Sequence, residues 1–171
     1  MTHPDLWTYS FRAVIALVES GISFFLGNVF LKGIKEPRWR WSTEDSRDMW
    51  IGAANTMITA AGIAAALVAA LSLGLERVPS PLVVFSAKVA VVSLVICVGV
   101  SLALVLTLAR GHETAKARNI EQRRLDGLSG ETTEGLLSPF AFGLVIVLAF
   151  FALSGFYIGF LFLARLIVHF S

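Results

Sequence analysis

The sequence predicts an all-α membrane protein, a four-transmembrane-helix bundle whose third helix extends into the cytoplasm. Three observations carry this expectation. First, four long apolar stretches occupy residues 11–31, 49–75, 82–108 and 139–168. Each reaches the roughly 20 residues a helix needs to cross a hydrocarbon core about 30 Å thick. Second, 56% of the 171 residues are hydrophobic and only 15% charged, with a mean hydropathy of +0.77. The stretches are apolar nearly all round, whereas a soluble helix of this length keeps a polar face. Third, ten of the 14 Lys and Arg residues fall in two of the connecting segments. The chain reads as one membrane domain, since no stretch is left for a second core.

The first span follows a segment, residues 1–10, without Lys or Arg. Glu19 interrupts its apolar run and no small-x-small cleavage signal precedes Asn28, so it reads as a retained helix rather than a signal peptide. Trp7 and Tyr9 ahead of it, and Trp39, Trp41 and Trp50 around the start of the second span, suit the headgroup level, where an apolar ring meets a wet edge. Ser42 with Asp45 resembles an acidic capping box ahead of the second helix.

The short 76–81 turn predicts an antiparallel hairpin of spans two and three, with Ser80-Pro81 opening the third helix. Residues 109–126 carry no proline and are rich in helix formers. The third helix therefore continues as an arm and stops near Gly127 and Gly130. The arm would project on the order of 25–30 Å, followed by a loose polar segment over 127–137. Ser138-Pro139 opens the fourth helix in the same way as Ser80-Pro81.

Orientation follows from the cations. Lys32, Lys35, Arg38, Arg40 and Arg47 lie between spans one and two; Arg110, Lys116, Arg118, Arg123 and Arg124 lie between spans three and four. The positive-inside rule places both segments in the cytoplasm of a multi-pass cell membrane protein, with both termini on the non-cytoplasmic side.

Small residues mark faces where membrane helices approach closely. The expected stripes are Ala16, Ser20, Ser23 and Gly27; Asn55, Thr59, Gly62, Ala66 and Ala69; Ser86, Ala90, Ser93, Cys97 and Ser101; and Gly155 with Gly159. Cys97 is the single cysteine, a packing residue that excludes dithiol chemistry.

The embedded polar residues are the candidate sites. Glu19 lies roughly 12 Å deep in the first span, and Lys88 lies at a similar depth in the third. An ionisable group there needs a partner or water. Glu19 and Lys88 are thus a candidate ion pair, or Glu19 a proton site. Lys88 sits opposite its own helix's small stripe, so snorkelling to the headgroups is the other reading for it. Asn28, Asn55 and Thr59 are candidates for hydrogen bonds between the first two helices. Arg38, Trp39, Arg40 and Trp41 alternate cation and indole and form a candidate lipid-interface segment.

Catalytic and cofactor signatures are missing. The three histidines, His3, His112 and His169, avoid the span centres, and His112-Glu113 lacks the second histidine of a zincin helix. No phosphate loop is present. The expected partners are membrane lipids and either a second copy or other membrane subunits, with no nucleic acid, no cofactor and no metal. A carboxylate in the first of four helices resembles the small multidrug-resistance exporters in that one feature. Their loops are much shorter than segments 32–48 and 110–138 here, and no residue role follows from the likeness. The leading expectation is a non-enzymatic accessory, scaffold or assembly subunit. The alternative is a small proton- or cation-coupled transporter or channel that uses Glu19.

Overall fold

The computed structural model describes residues 4–73, 81–128 and 134–170, apart from the side chains of residues 4–9, 37, 71–73, 169 and 170. It is an all-α bundle of four membrane-length helices: α1 (Pro4–Lys35), α2 (Glu44–Leu73), α3 (Pro81–Leu125) and α4 (Pro139–Phe170). A 3-10 turn over Pro37–Arg40 and a two-residue strand β1 (Trp41–Ser42) link α1 to α2. A second short strand β2 (Gly135–Leu136) precedes α4. The expected 76–81 turn, the Ser80 cap, and the side chains of Trp7 and Tyr9 lie outside the described residues.

Local chemistry explains the helix ends. At α2 the cap is Thr43 with Ser46, one residue later than the expected Ser42 and Asp45. Thr43 Oγ1 accepts from the Ser46 N–H at 3.1 Å, and Ser46 Oγ accepts from the Thr43 N–H at 2.9 Å. This reciprocal pair satisfies two donors that a helix start leaves orphaned. It also releases Ser42 for another bond. At α4 the expectation holds, since Ser138 Oγ accepts from the Ala141 N–H at 3.1 Å. The arm ends at Gly127, whose φ of 71° suits glycine. There Leu128 N–H bonds Arg123 C=O and Gly127 N–H bonds Arg124 C=O, which is a Schellman stop.

α3 and α4 form the central pair, and α2 also touches α4. α3 packs along both α2 and α4, and α1 leans on α4. Glycine makes the closest approaches possible. Gly159 of α4 sits over Leu94 and the Ala90 carbonyl, and Gly155 over the Ser93 carbonyl and Cys97. The α3 stripe faces inward as expected: Ser86, Ala90, Cys97 and Ser101 are buried and Ser93 half-buried. Between α1 and α4 two aromatic knobs enter two glycine holes, Phe142 against Gly33 and Phe30 against Gly143.

The stripes of α1 and α2 differ from expectation. Ala16, Ser20 and Ser23 are exposed, as are Asn55, Thr59, Gly62, Ala66 and Ala69. The residues of α2 that pack on the bundle are Ala54, Ala61, Ala64 and Val68. The reason lies in composition: α2 is small-residue-rich on two faces, and only one of them meets α3.

The arm is not a bare solvated helix over its first turns. His112 and Ala115 are buried because the two connecting segments lie against them. β1 pairs antiparallel with β2, Trp41 opposite Leu136 and Ser42 opposite Gly135, so part of the expected loose 127–137 segment is ordered. Gly135 runs against the backbone of α3, and a methyl at that position would collide with Ala115 and Lys116 main-chain atoms. Asn119 Nδ2 adds a bond to the Glu134 carbonyl at 2.9 Å. The arm therefore serves as a platform on which the two basic segments meet.

Candidate functional site

The first candidate is at mid-membrane. Ser154 lies at the centre of the α4 span, 15 residues or about 22 Å along from Pro139. Its hydroxyl donates to Glu19 Oε2 at 2.7 Å. The other carboxyl oxygen, Oε1, is enclosed without a hydrogen-bond partner among the described residues. Glu19 thus ties α1 to α4. An enclosed polar atom with no partner is costly, and in native proteins it requires a reason.

The structure does not bring Glu19 and Lys88 together. Lys88 is exposed on α3 beside the exposed Phe85, Val92 and Val95. It faces outward about 10 Å from the α3 start, near enough for its long side chain to reach the headgroups. The physical reason is helix order: α1 lies on α4, and Glu19 bonds a serine of α4. Arg165, at the same end of the bundle, stacks over the Phe11 ring at 5.3 Å.

Asn28 and Asn55 do not bond across helices. Asn28 Nδ2 donates to the Phe24 carbonyl at 2.8 Å, one turn back on its own helix. Thr59 Oγ1 does the same to the Asn55 carbonyl at 3.0 Å. Such local bonds need no neighbouring helix and win when none is adjacent. The Asn55 side chain has no hydrogen-bond partner among the described residues, although it lies about 7 Å beyond Trp50 along α2.

The second candidate is at the end where the basic segments meet. The interface residues expected there behave differently from one another. Arg38 is exposed and pairs with Glu36 at 2.6 Å. Trp39 is part-exposed with the Lys32 ammonium 4.9 Å above its ring, a cation–π arrangement. Trp41 is also part-exposed. Arg40 instead turns inward. It reaches the Leu137 carbonyl at 3.4 Å, leaves its Nε buried without a partner, and accepts the Leu137 N–H on its own carbonyl. It is a tie between the segments rather than a lipid contact.

Beneath the linker lies a cleft of about 730 Å³ between α1 and α2, with α4 as its floor. Arg47 and Trp50 line it together with Arg38, Trp39 and Trp41. Ser42 also lines the cleft, and its hydroxyl bonds His112 Nδ1 at 3.0 Å. His112 is fully buried and its Nε2 has no partner among the described residues. Arg47 spans from Asp48 at 2.9 Å to Glu113 on the arm at 3.9 Å. Lys116 and Glu44 add a second long contact at 3.9 Å.

Sequence reasoning missed Ser154, the bond between Ser42 and His112, and the cleft. Ser154 had a signal, a hydroxyl beside Gly155 in a helix otherwise filled with Phe and Leu. The bond joins residues 70 positions apart, the cleft draws on residues from Phe25 to Ile146, and neither leaves a local pattern. Among the described residues no cluster of three or more His, Cys, Asp or Glu side chains forms a metal site.

No protein-family model, curated protein or solved structure matches the chain. Its own geometry therefore carries the reading: this is a small integral membrane protein of four apolar helices.

Proposed function

We propose that the chain is a non-enzymatic accessory, scaffold or assembly subunit of a complex in the cell membrane. One observation carries the reading. The outer face of α2 presents Asn55, Thr59, Gly62, Ala66 and Ala69, all exposed, with the Asn55 amide unpartnered among the described residues. In hydrocarbon a small, polar face favours another helix over lipid, because close backbone approach and an amide hydrogen bond become available together. The partner is a second copy of the chain or a different membrane subunit. The concentration of Lys and Arg in the two joined segments supports a cytoplasmic position for the arm and an outer position for both termini.

A photo-crosslinking residue at position 59, in native membranes, tests this. A crosslinked adduct of defined mass is expected. Recovery of only the monomer, there and after purification in mild detergent, would refute the reading.

A second reading rests on Glu19, whose Oε1 is enclosed at mid-membrane without a partner among the described residues. A carboxyl held in this way suits a proton- or cation-coupled transporter or channel. Liposome flux measured for the wild type and for Glu19→Gln separates the two readings. Flux that Glu19→Gln abolishes favours transport, and no flux in either protein removes it.

A further inference from the structure

We infer that the cleft between α1 and α2 is a binding site for one anionic phospholipid, with an acyl chain in the cleft and the headgroup phosphate at Arg38 and Arg47. α1 leans on α4 rather than lying along α2, which leaves the two helices splayed. The gap of about 730 Å³ falls within the ~300–1,000 Å³ of ordinary small-molecule sites. Its deeper walls are apolar: Phe25 and Leu26 from α1, Val145 and Ile146 from α4. Water gains no hydrogen bonds there, so hydrocarbon is the favoured filling.

Depth and roof select the kind of hydrocarbon. Phe25 lies ten residues before Lys35 at the α1 end, about 15 Å, which is half of a ~30 Å core and the depth of one leaflet. The linker that carries Arg38, Trp39 and Trp41 joins the ends of α1 and α2 and so bridges the cleft at its mouth. A transmembrane helix about 10–12 Å across would have to pass through that bridge. A lipid ends at that level and fits beneath it.

The rim selects the headgroup. Among the described residues the charged ones lining the cleft are Arg38 and Arg47, and three indoles line it beside them. Each arginine already contacts a carboxylate, Arg38 with Glu36 and Arg47 with Asp48 and, at 3.9 Å, Glu113. A guanidinium has five N–H donors, which leaves some for phosphate. Indoles belong at the glycerol and headgroup level. The site does not depend on whether α2 has a protein partner.

Quenching of tryptophan fluorescence by brominated lipid tests the site. Trp39, Trp41 and Trp50 all line the cleft, so a Trp7→Phe background removes the fourth indole. The protein is reconstituted in phosphatidylcholine vesicles containing increasing fractions of phosphatidylglycerol or phosphatidylcholine with brominated acyl chains. The anionic lipid is expected to reach half-maximal quenching at a roughly thirty-fold lower fraction, the factor expected of two cations at an anionic headgroup. The double variant Arg38→Gln/Arg47→Gln should lose that preference, and Val29→Phe, which fills the cleft, should reduce quenching by both lipids. Excess soluble glycerol phosphate should change nothing. Equal half-quenching fractions in the parent protein would overturn the proposal, as would a preference that survives the double substitution or competition by glycerol phosphate. Far-UV circular dichroism checks that the variants fold, and if they do not, the comparison of the two lipids on the parent protein still decides.

Discussion

Replacing Gly159 by alanine should destabilise the bundle, while the same change at Gly62 should not. At 159 the new methyl carbon would lie 2.6 Å from Leu94 Cγ and 2.7 Å from its Cδ2, with the Ala90 carbonyl at 3.4 Å. Leu94 is fully buried on α3. Either its rotamer or the spacing of α3 and α4 must give, and forced overpacking of this kind costs about 1–3 kcal/mol. At 62 nothing lies within 4 Å of the added methyl. Both changes share the gain in helix propensity, about 1 kcal/mol, so the difference between them isolates packing. Unfolding by sodium dodecyl sulfate in mixed micelles, followed by far-UV circular dichroism, measures it. Gly159→Ala is expected to be less stable than Gly62→Ala by about 1–3 kcal/mol. A cycle with Leu94→Ala should show favourable coupling of at least ~0.5 kcal/mol, because the vacated space accepts the methyl. Equal stabilities of the two glycine variants would refute the seam between α3 and α4.

Three further outcomes follow from named contacts. Ser154→Ala removes the one hydrogen bond to the Glu19 carboxyl among the described residues and should cost about 0.6–1.7 kcal/mol in the same assay, with a smaller loss for Ser154→Thr, which keeps the hydroxyl. Gly135→Ala drives a methyl into the Ala115 and Lys116 backbone and should lift β2 off α3. Hydrogen exchange at the Leu137 N–H, now bonded to the Arg40 carbonyl at 2.9 Å, should rise, whereas an unchanged rate would contradict the tight approach. On a Cys97→Ser background, single cysteines at Arg38 and Arg118 should both react with a membrane-impermeant maleimide only when the cytoplasmic side is open. Labelling from opposite sides would overturn the topology.

The parts of the fold that could be read from sequence are those decided within one helix. Span length and apolarity gave four helices because the bilayer fixes how long a helix must be. The inward stripe of α3, with Ser86, Ala90, Cys97 and Ser101, was legible because a fixed 100° per residue places these positions together. The stop at Gly127 was legible because a left-handed cap favours glycine. The partner of Glu19 was not. Depth in the membrane says how far along a helix a group sits, not which helix stands beside it, and two long side chains at similar depth proved to lie on helices that do not adjoin. The shift of the α2 cap by one residue has a similar origin. Ser42 and Thr43 are both competent caps, and the choice falls to Thr43 because Ser42 is drawn to His112, 70 positions away.

The contrast among outer surfaces bears most directly on what the bundle does. α3 turns Leu82, Phe85, Val92, Val95, Ile96 and Leu102 outward, and α4 turns out Phe140, Val147, Phe151 and Ile167. These are the large apolar side chains that acyl chains cover well. On α2, between Gly52 and Ala70, only Ile63 and Leu67 among the exposed residues are large; the others are Gly, Ala, Asn and Thr. Small side chains offer little area for lipid to gain against, but they let another backbone come close. The same helix already uses Ala54, Ala61 and Ala64 for that purpose on its inner face. Two faces built for close approach on one helix, only one of them covered within the chain, support an assembly in which α2 lies between its own bundle and a neighbour. The splay of α1 away from α2 fits the same arrangement, because it leaves the outer face of α2 unobstructed while the linker and the platform of α3 keep the two helices joined.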